Sequence, residues 1–217
     1  MAANQGRFIT FEGGEGVGKS TNIQFVQDWL AERGIPFVVT REPGGTPIAE
    51  TIRNELLKAH HSEPMSSLTE LLLVFAARAQ HIEKVIAPAL EDGCWVICDR
   101  FSDSTIAYQG YGRGLPMTDI ETLSQLVQKD LQPDCTFLLD APVEVGMSRA
   151  SRRAEEGVEP TDRFETEALA FFDRVRSGFL ALAEKETRFR KIDATQALPE
   201  VQNRIAEALE QLIGDGH

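Results

Sequence analysis

Short apolar runs alternate with longer amphipathic stretches along almost the whole chain. Five of the runs have the apolar content of buried β-strands: Arg7–Glu12, Pro36–Arg41, Trp95–Asp99, Cys135–Asp140 and Phe189–Asp193. Seven further segments carry apolar residues at helical spacing: Ser20–Arg33, Pro47–Lys58, Leu68–Leu90, Thr118–Gln128, Val143–Arg153, Glu165–Glu186 and Pro199–Ile213. Continuous apolar strands that alternate with helices are typical of a parallel sheet. The pattern therefore predicts an α/β fold with a five-stranded parallel sheet and helices on both faces.

The third helical segment contains a proline. Pro88 lies two residues before the end of Leu68–Leu90. Proline lacks a backbone N–H, and its ring clashes with the preceding turn of a helix. The sequence therefore predicts that this helix is kinked or divided near Pro88.

The turn after the first predicted strand is rich in glycine. From Phe11 to Thr21 the chain reads FEGGEGVGKST, which fits the P-loop pattern G-x-x-x-x-G-K-[ST]. Such a turn directs backbone N–H groups and the positive end of the following helix at one point, and its glycines let a phosphate approach. In this pattern Lys19 reaches the β- and γ-phosphates, and the Ser20 hydroxyl ligates Mg²⁺. The residues predicted to bind ATP in this loop are Gly13, Gly14, Glu15, Gly16, Val17, Gly18, Lys19, Ser20 and Thr21.

Charged residues stand at the carboxyl ends of four of the five predicted strands. They are Glu12, Arg41 with Glu42, Asp99 with Arg100, and Asp140. The carboxyl ends of parallel strands meet at one edge of the sheet, where α/β proteins bind their ligands. Because the P-loop follows a strand at the same edge, we expect these side chains to form a ligand site with it.

A polar segment at about 149–163 interrupts the alternation of strands and helices. It carries three arginines within five residues, Arg149, Arg152 and Arg153, and is broken by Gly157 and Pro160. Polar segments of this kind within a domain are usually exposed and often act as active-site lids. In an acidic protein that binds phosphates, the arginines favour a lid that closes over a triphosphate.

Composition limits the class of protein. The 217 residues suit a single domain, 1–217, that includes the lid. Contents of 42% hydrophobic and 26% charged residues are ordinary for a soluble enzyme. A net charge of −12 disfavours stable binding to nucleic acid or to anionic membranes.

The compartment is predicted from the N-terminus and the cysteines. The first residues lack the apolar core of a signal peptide, and the longest apolar run, Leu71–Ala77, is too short to span a membrane. Cys94, Cys98 and Cys135 have no C-x-x-C spacing and lie in or beside apolar runs, which is typical of reduced core thiols. These features predict a cytoplasmic protein.

Several motifs beyond the P-loop resemble those of the thymidylate kinase family in its bacterial branch. They are TREPGGT (Thr40–Thr46), FAAR (Phe75–Arg78), DRFSDST (Asp99–Thr105), AYQ (Ala107–Gln109), Leu139-Asp140 and GMSR (Gly146–Arg149). The resemblance runs from residue 7 to residue 213 and implies a P-loop NTPase fold. It also implies a homodimer that uses ATP, with Mg²⁺, to convert dTMP into dTDP for dTTP biosynthesis and DNA synthesis.

The resemblance implies how the phosphate and sugar of dTMP are held. Arg41 and Arg100 would clamp the phosphate with their forked donors. Glu12 would accept a hydrogen bond from the 3′-hydroxyl. From its position on one helical turn with Thr105, Tyr108 either leaves no room for the 2′-hydroxyl of a ribonucleotide or is a helix residue packed on its neighbours.

Two residues three apart on one predicted helix are implied in base recognition. Phe75 would stack on thymine, and Arg78 would read the O4 of the base. An arginine in this otherwise apolar run also needs a partner if it is buried. The dTMP site implied by the resemblance comprises Glu12, Arg41, Phe75, Arg78, Arg100, Ser104, Thr105, Tyr108 and Gln109.

The catalytic arginine is expected in the lid, because the P-loop contains Glu15 and no arginine. Arg153 is the expected stabiliser of the transferring phosphoryl group. Arg149 and Arg152 lie close by in sequence, so the role could fall to either of them. Arg149 is alternatively expected to bind ATP by packing on the adenine.

A metal site is expected from Ser20 and Asp99. Asp99 stands beside Arg100 at a strand end, where it either orients that arginine or holds a metal-bound water. The residues expected to take part in phosphoryl transfer are Lys19, Asp99, Arg100 and Arg153.

Two other functions share the P-loop. A deoxynucleoside kinase or another nucleotide kinase would use the same edge of the sheet, but TREPGGT together with DR…AYQ favours thymidylate kinase. A GTPase-like switch would read guanine through an N-K-x-D segment, and no asparagine of this chain is followed by lysine.

Overall fold

The computed structural model describes residues 6–57, 63–155, 164 and 167–214. Its five strands are β1 (Phe8–Glu12), β2 (Phe37–Arg41), β3 (Trp95–Asp99), β4 (Cys135–Asp140) and β5 (Phe189–Asp193). They form one sheet in the order β2-β3-β1-β4-β5, in which every neighbouring pair is parallel. The predicted sheet is thus confirmed, with strand boundaries that differ by one residue at most.

Helices cover both faces of this sheet. In the described residues they are α1 (Lys19–Glu32), α2 (Pro47–Leu57), α3 (Ser67–His81), α4 (Ala87–Glu91), α5 (Ser102–Thr105), α6 (Met117–Val127), α7 (Val143–Glu155), α8 (Leu169–Lys185) and α9 (Leu198–Gly214). Two π-helical segments, Ile82–Ile86 and Ile106–Gly112, follow α3 and α5. Over the same stretches of chain, no helix has the length and apolar character needed to cross a membrane.

The core has one apolar layer on each face of the sheet. On one face, Ile9 and Phe11 of β1 share a buried cluster with Val26 and Leu30 of α1 and Leu209 of α9. On the other face, α4 packs against β3, and α8 packs against β4 and β5. Burial on both faces explains why the strands are continuous apolar runs.

The predicted helix Leu68–Leu90 changes to a π-helical turn before Pro88, while the backbone stays helical at both ends of that turn. Helix α3 ends at His81, the chain continues through the π-helical segment, and α4 begins at Ala87. Pro88 therefore lies in the first turn of α4, where a missing N–H costs nothing. The π-helical turn Ile82–Ile86 lies directly before it, and such turns occur where the regular hydrogen bonds of an α-helix are interrupted.

The segment between β3 and α6 is more helical than the sequence pattern predicts. Helix α5 and the π-helical segment after it run continuously from Ser102 to Gly112. Most of this segment is buried, and it packs against α8. Because little of it faces solvent, it lacks the polar face by which an amphipathic helix is recognised.

Two of the predicted cysteine positions are in the core. Cys98 and Cys135 are buried, Cys94 is half-buried, and all three are free thiols. Burial raises the pKa of Cys98 well above its ordinary value and that of Cys135 to about 12. Thiols held in the protonated form are poor nucleophiles and poor metal ligands, which agrees with a packing role.

Part of the predicted lid lies outside the described residues. The lid at about 149–163 begins on α7, and residues 156–163 are not described, nor are the side chains of residues 153–155. The lid and the single-domain organisation of residues 1–217 remain predictions. The helix predicted at Glu165–Glu186 begins at Leu169 in the described residues.

Candidate active site

The P-loop joins β1 to α1 at the carboxyl edge of the sheet. Gly13, Gly16 and Gly18 have φ values of 136°, 66° and 90°, a range that side chains rarely adopt. A Cβ atom on Gly16 would also collide with the carbonyl oxygen of Gly146 on α7. The glycines are therefore needed both for the loop's conformation and for its close packing on α7.

Lys19 is the first residue of α1, and Ser20 follows it with an exposed side chain. The Lys19 Nζ donates to the carbonyl oxygen of Gly14 at 2.9 Å and to that of Gly13 at 3.4 Å. Burial, reinforced by the positive charge of Arg100, lowers the pKa of Lys19. The ammonium group is thus held at the loop, with a second cation nearby.

Arg100 follows β3 and lies against the P-loop. Its Nη1 donates to Gly13 O at 2.9 Å and to Ser104 Oγ at 3.2 Å, and its Nη2 donates to Glu15 Oε1 at 2.6 Å. The backbone φ of Arg100 is 68°, which is uncommon for a residue with a side chain. Conformations of this kind cluster at functional sites, where surrounding contacts hold them in place.

Two further arginines lie near Arg100. The exposed Arg41 forms a two-pronged pair with Glu50, with distances of 3.3 and 3.0 Å, and Arg53 Nη1 donates to Pro43 O at 3.0 Å. Burial and then the charge of Arg41 lower the pKa of Arg53, and Arg100 acts in the same direction. The site therefore gathers cations that repel one another in the absence of a bound anion.

Arg53 was not among the residues predicted from the sequence. It lies on α2, which begins directly after the TREPGGT segment. A helix that starts at this edge can turn one face toward the site, and the start of α2 directly after TREPGGT could have indicated Arg53 as a site residue. The spacing of Arg41 and Arg53 matches no recognisable sequence motif.

Asp99 is the last residue of β3. Its Oδ1 is buried and has no hydrogen-bond partner. An unpaired buried carboxylate oxygen is costly unless a ligand or water completes its contacts. Asp99 pairs with Phe11, two residues before the first glycine of the P-loop, and Ser20, the other predicted metal ligand, belongs to the loop motif itself.

Glu12 is fully buried beneath the site. Its Oε1 accepts from Phe101 N at 2.7 Å and Ser104 N at 3.3 Å, and its Oε2 lies 2.6 Å from Ser104 Oγ. Burial, followed by the negative charge of Asp103, raises the pKa of Glu12 to about 8. Both carboxyl oxygens thus have partners within the protein, and the predicted contact of Glu12 with a sugar hydroxyl remains a prediction.

The substitution Glu12→Gln is expected to reduce the dependence of the free energy of unfolding on pH. Between the ordinary pKa of 4.5 and the folded value of about 8, the folded protein binds more protons than the unfolded chain. The free energy of unfolding therefore falls as pH rises through this range, by an amount on the order of a few kcal/mol. Urea denaturation of wild type and Glu12→Gln between about pH 5 and pH 8 measures the difference. A difference that does not change with pH contradicts the raised pKa.

Glu15 is the carboxylate of the P-loop that reaches the site. Its side chain is 22% exposed, and its Oε1 accepts from Arg100 Nη2 and from the Tyr108 hydroxyl, the latter at 2.9 Å. The sequence singled it out only as one member of the loop. The acidic side chain in a phosphate-binding loop was the signal that could have marked a separate role.

Arg78 is buried, and each of its three side-chain nitrogens has a hydrogen-bond acceptor, the longest bond being from Nη1 to Gln128 Oε1 at 3.5 Å. Its Nε donates to Glu42 Oε2 at 2.7 Å, and its Nη2 donates to Thr105 Oγ1 at 2.8 Å and to Phe101 O at 3.2 Å. The partner that burial of an arginine requires is therefore Glu42, which is itself 4% exposed. Glu42 had been placed at the edge of the sheet by the sequence, but without a role.

Phe75, Tyr108 and Gln109 are all buried. Phe75 packs in a cluster with Leu71 and Ile120, and the guanidinium carbon of Arg78 lies 5.0 Å from its ring centre. The Tyr108 ring makes edge contacts with three phenylalanines, Phe164, Phe171 and Phe179. Gln109 Nε2 donates to Glu70 at 2.8 Å. Their predicted contacts with dTMP remain predictions.

The lid arginines are only partly described. Arg149 Nη1 donates to Ala194 O at 3.0 Å, and Arg152 is exposed. The side chain of Arg153, the expected catalytic arginine, lies outside the described residues. A cleft lies between the P-loop, the end of β4 and helices α7 and α8. None of the residues predicted to bind dTMP is among those that line this cleft.

Comparison with known proteins agrees with the motifs and with the fold. The family model for thymidylate kinase matches residues 11–205. A thymidylate kinase of Chromohalobacter salexigens is 59% identical over 94% of this chain and 95% of its own length. That of Teredinibacter turnerae is 54% identical over 96% and 99%. The crystal structure of a thymidylate kinase from Ehrlichia chaffeensis matches with a TM-score of 0.74 and 37% identity, over 94% of this chain and 98% of that one. The chain belongs to the thymidylate kinase family.

Proposed function

We propose that this protein transfers the γ-phosphoryl group of ATP to dTMP, giving ADP and dTDP for dTTP biosynthesis. The observation that carries the proposal is the gathering of Lys19, Arg41, Arg53 and Arg100 at a P-loop, in a chain of net charge −12. Transfer between two nucleotides requires that two polyanions be brought together, with their repulsion neutralised and their phosphates in line. Membership of the family supports dTMP as the acceptor.

The donor side consists of the P-loop and Lys19. The loop's N–H groups and the start of α1 would bind the triphosphate of ATP. The Lys19 ammonium group is a compact charge on a flexible stem, with three rotatable donors. It can therefore leave the carbonyl of Gly14, to which it donates at 2.9 Å, and turn to the β- and γ-phosphates.

The residues at the loop fit Mg²⁺. Asp99 offers a buried oxygen without a partner, and Ser20 offers an exposed hydroxyl at the start of α1. Magnesium prefers oxygen ligands and is usually held by one or two protein groups together with substrate phosphates and water. When bound, the ion would neutralise charge on the phosphates. Asp99 would hold it, directly or through a water, with Ser20 as the second protein ligand.

The acceptor phosphate would lie among three arginines. Arg41 and Arg100 were predicted for this role, and the position of Arg53, whose pKa is lowered by the charges of both, supports it as a third phosphate-binding arginine. Planar guanidinium groups bind phosphate oxygens in pairs, which fixes the phosphate's orientation as well as its position. A bound phosphate would also relieve the repulsion among these cations.

The sugar hydroxyl requires an acceptor at the same edge. Glu12 was predicted for this role, but its oxygens are buried and bonded to Phe101 and Ser104. Glu15 is partly exposed and lies between Arg100 and Tyr108. Its position supports Glu15 as the carboxylate that contacts the deoxyribose, with Glu12 holding Ser104 and the start of α5 beneath it.

The acceptor can be identified by measuring ADP release in a coupled assay with dTMP, dUMP, dCMP and thymidine in turn. The proposal predicts the highest kcat/KM with dTMP and little turnover with thymidine, which lacks the phosphate that the arginines bind. Preferred use of thymidine would indicate a deoxynucleoside kinase. Release of ADP that no acceptor increases would indicate a nucleotide hydrolase.

Base recognition is expected to depend on Arg78. Alanine at this position should narrow the preference for dTMP over dCMP, because cytosine carries a donor where thymine has O4. Phe75→Ala should weaken both substrates alike, since stacking tolerates any base. Arg78→Ala also removes the guanidinium partner of the buried Glu42, whose other oxygen still faces His81, at a cost of roughly 3–5 kcal/mol of stability.

The comparison of the two bases is made within one protein preparation. The ratio of kcat/KM for dTMP and dCMP does not depend on the folded fraction, so the loss of stability does not affect it. If Arg78→Ala has the same ratio of kcat/KM for dTMP and dCMP as the wild type, Arg78 does not read the base, and its role is the structural pairing with Glu42.

The homodimer implied by the resemblance is retained as part of the proposal. Helices α2 and α3 pack together and expose three large apolar side chains, Ile48, Leu68 and Leu72. Exposed apolar side chains that lie near one another favour a contact surface. Light scattering of the purified protein measures its mass in solution directly.

A further inference from the structure

His81 lies completely buried at the end of α3, behind the segment that carries Arg41. Its Nδ1 is 3.0 Å from Glu42 Oε1, and its Nε2 is 2.6 Å from Thr40 Oγ1. Thr40 and Glu42 are the residues on either side of Arg41. Both nitrogens of the ring therefore contact the side chains of the residues directly before and after Arg41, an arginine proposed to hold the acceptor phosphate.

The same ring touches the far side of the turn. A Cβ atom on Gly45 would lie 2.5 Å from His81 Cδ2 and 2.6 Å from its Nε2, so the glycine allows the ring to pack against the backbone. The Gly45 N–H donates at 2.9 Å to Glu50 Oε1, and Glu50 also pairs with Arg41. The imidazole thus fills the space between the two limbs of the TREPGGT turn.

Glu42 links His81 to a second proposed substrate contact. One oxygen of this carboxylate faces His81, and the other accepts from Arg78 Nε at 2.7 Å. The buried ring and the buried arginine therefore share one carboxylate. Through it, the position of the Arg41 segment is tied to the position of Arg78.

We propose that His81 is a positioning residue for the acceptor nucleotide, which sets the Arg41 segment relative to Arg78. The inference rests on the proposed function of these arginines. A rigid shell of this kind is what holds binding groups in productive geometry. Because His81 contacts both neighbours of Arg41, its removal should affect binding of the phosphate more than binding of the nucleoside.

Three substitutions separate the contacts of the ring. His81→Leu removes both hydrogen bonds, His81→Asn places an amide where Nδ1 faces Glu42, and His81→Gln places one where Nε2 faces Thr40. Leu209→Ala, in the buried cluster on the opposite face of the sheet, controls for a general loss of stability. Thr40→Val, which removes one hydrogen bond with little change of shape, serves if His81→Leu does not fold.

His81→Leu is expected to raise the KM for dTMP roughly tenfold or more, the effect of one or two lost hydrogen bonds, and to leave the KM for ATP within about twofold. The Kd for thymidine should change less than the Kd for dTMP. His81→Asn and His81→Gln should each recover part of the loss, and Leu209→Ala should leave the KM for dTMP unchanged.

A KM for dTMP in His81→Leu that equals that of Leu209→Ala would reduce His81 to a stabilising core residue and overturn the inference. Arg41→Ala tests the assignment beneath it. If Arg41→Ala also leaves the KM for dTMP unchanged, the acceptor-phosphate site is wrong. If Arg41→Ala raises the KM while His81→Leu does not, only the positioning role fails.

Discussion

Alanine in place of Lys19 is expected to lower kcat for phosphoryl transfer by at least about 10²–10³-fold, the usual effect of removing one group that stabilises transition-state charge. Among the described residues, Lys19 Nζ bonds to the loop carbonyls of Gly13 and Gly14, which the loop can offer to water instead. The fold should therefore remain intact. Steady-state kinetics at saturating ATP and dTMP give kcat, and thermal unfolding confirms the folded state.

A matched control distinguishes this effect from a general loss of positive charge. Lys84 is exposed, pairs with its neighbour Glu83 and lies far from the P-loop in sequence. Lys84→Ala should retain the wild-type kcat. A folded Lys19→Ala protein that transfers phosphate at nearly the wild-type rate would refute the assignment of the P-loop.

Arg153→Ala is expected to lower kcat by roughly 10³–10⁵-fold, the range found for arginines that enter the active site during phosphoryl transfer. The P-loop of this chain has Glu15 in place of an arginine, and the structure pairs that glutamate with Arg100. Charge that develops on the transferring group therefore needs a cation from elsewhere, and the lid is the predicted source. The KM for dTMP should change little.

Alanine variants of the neighbouring lid arginines complete this experiment. Arg149 donates to the carbonyl of Ala194, and Arg152 is exposed on α7. If Arg153→Ala alters only KM, it is a binding residue, and the variant among Arg149→Ala and Arg152→Ala with the larger fall in kcat identifies the catalytic arginine.

The sheet and the phosphate loop could be predicted from the sequence because both depend on local patterns. Each strand is a continuous apolar run, and the P-loop needs its glycines and lysine at fixed spacing. The interruption of the regular α-helix near Pro88 follows equally from local backbone chemistry. These features need no knowledge of which distant residues meet.

The polar network behind the site could not be predicted, because it depends on contacts between distant parts of the chain. Glu42, Arg78 and Thr105 come from three separate parts of the chain. The apolar run around Arg78 indicated that a buried arginine there needs a partner, but not which residue that partner is. The burial of Glu12 was missed for the same reason. Its position at the end of β1 indicated the edge of the sheet, but not that Phe101 and Ser104 would cover it.

We propose that this protein transfers the γ-phosphoryl group of ATP to dTMP and not to water. Ion-exchange chromatography of a reaction containing the protein, ATP, Mg²⁺ and dTMP separates all four nucleotides. The account predicts that ADP and dTDP appear in equal amounts, and that neither forms when dTMP or protein is omitted. Formation of ADP without dTDP, or the absence of both with folded protein, would contradict it.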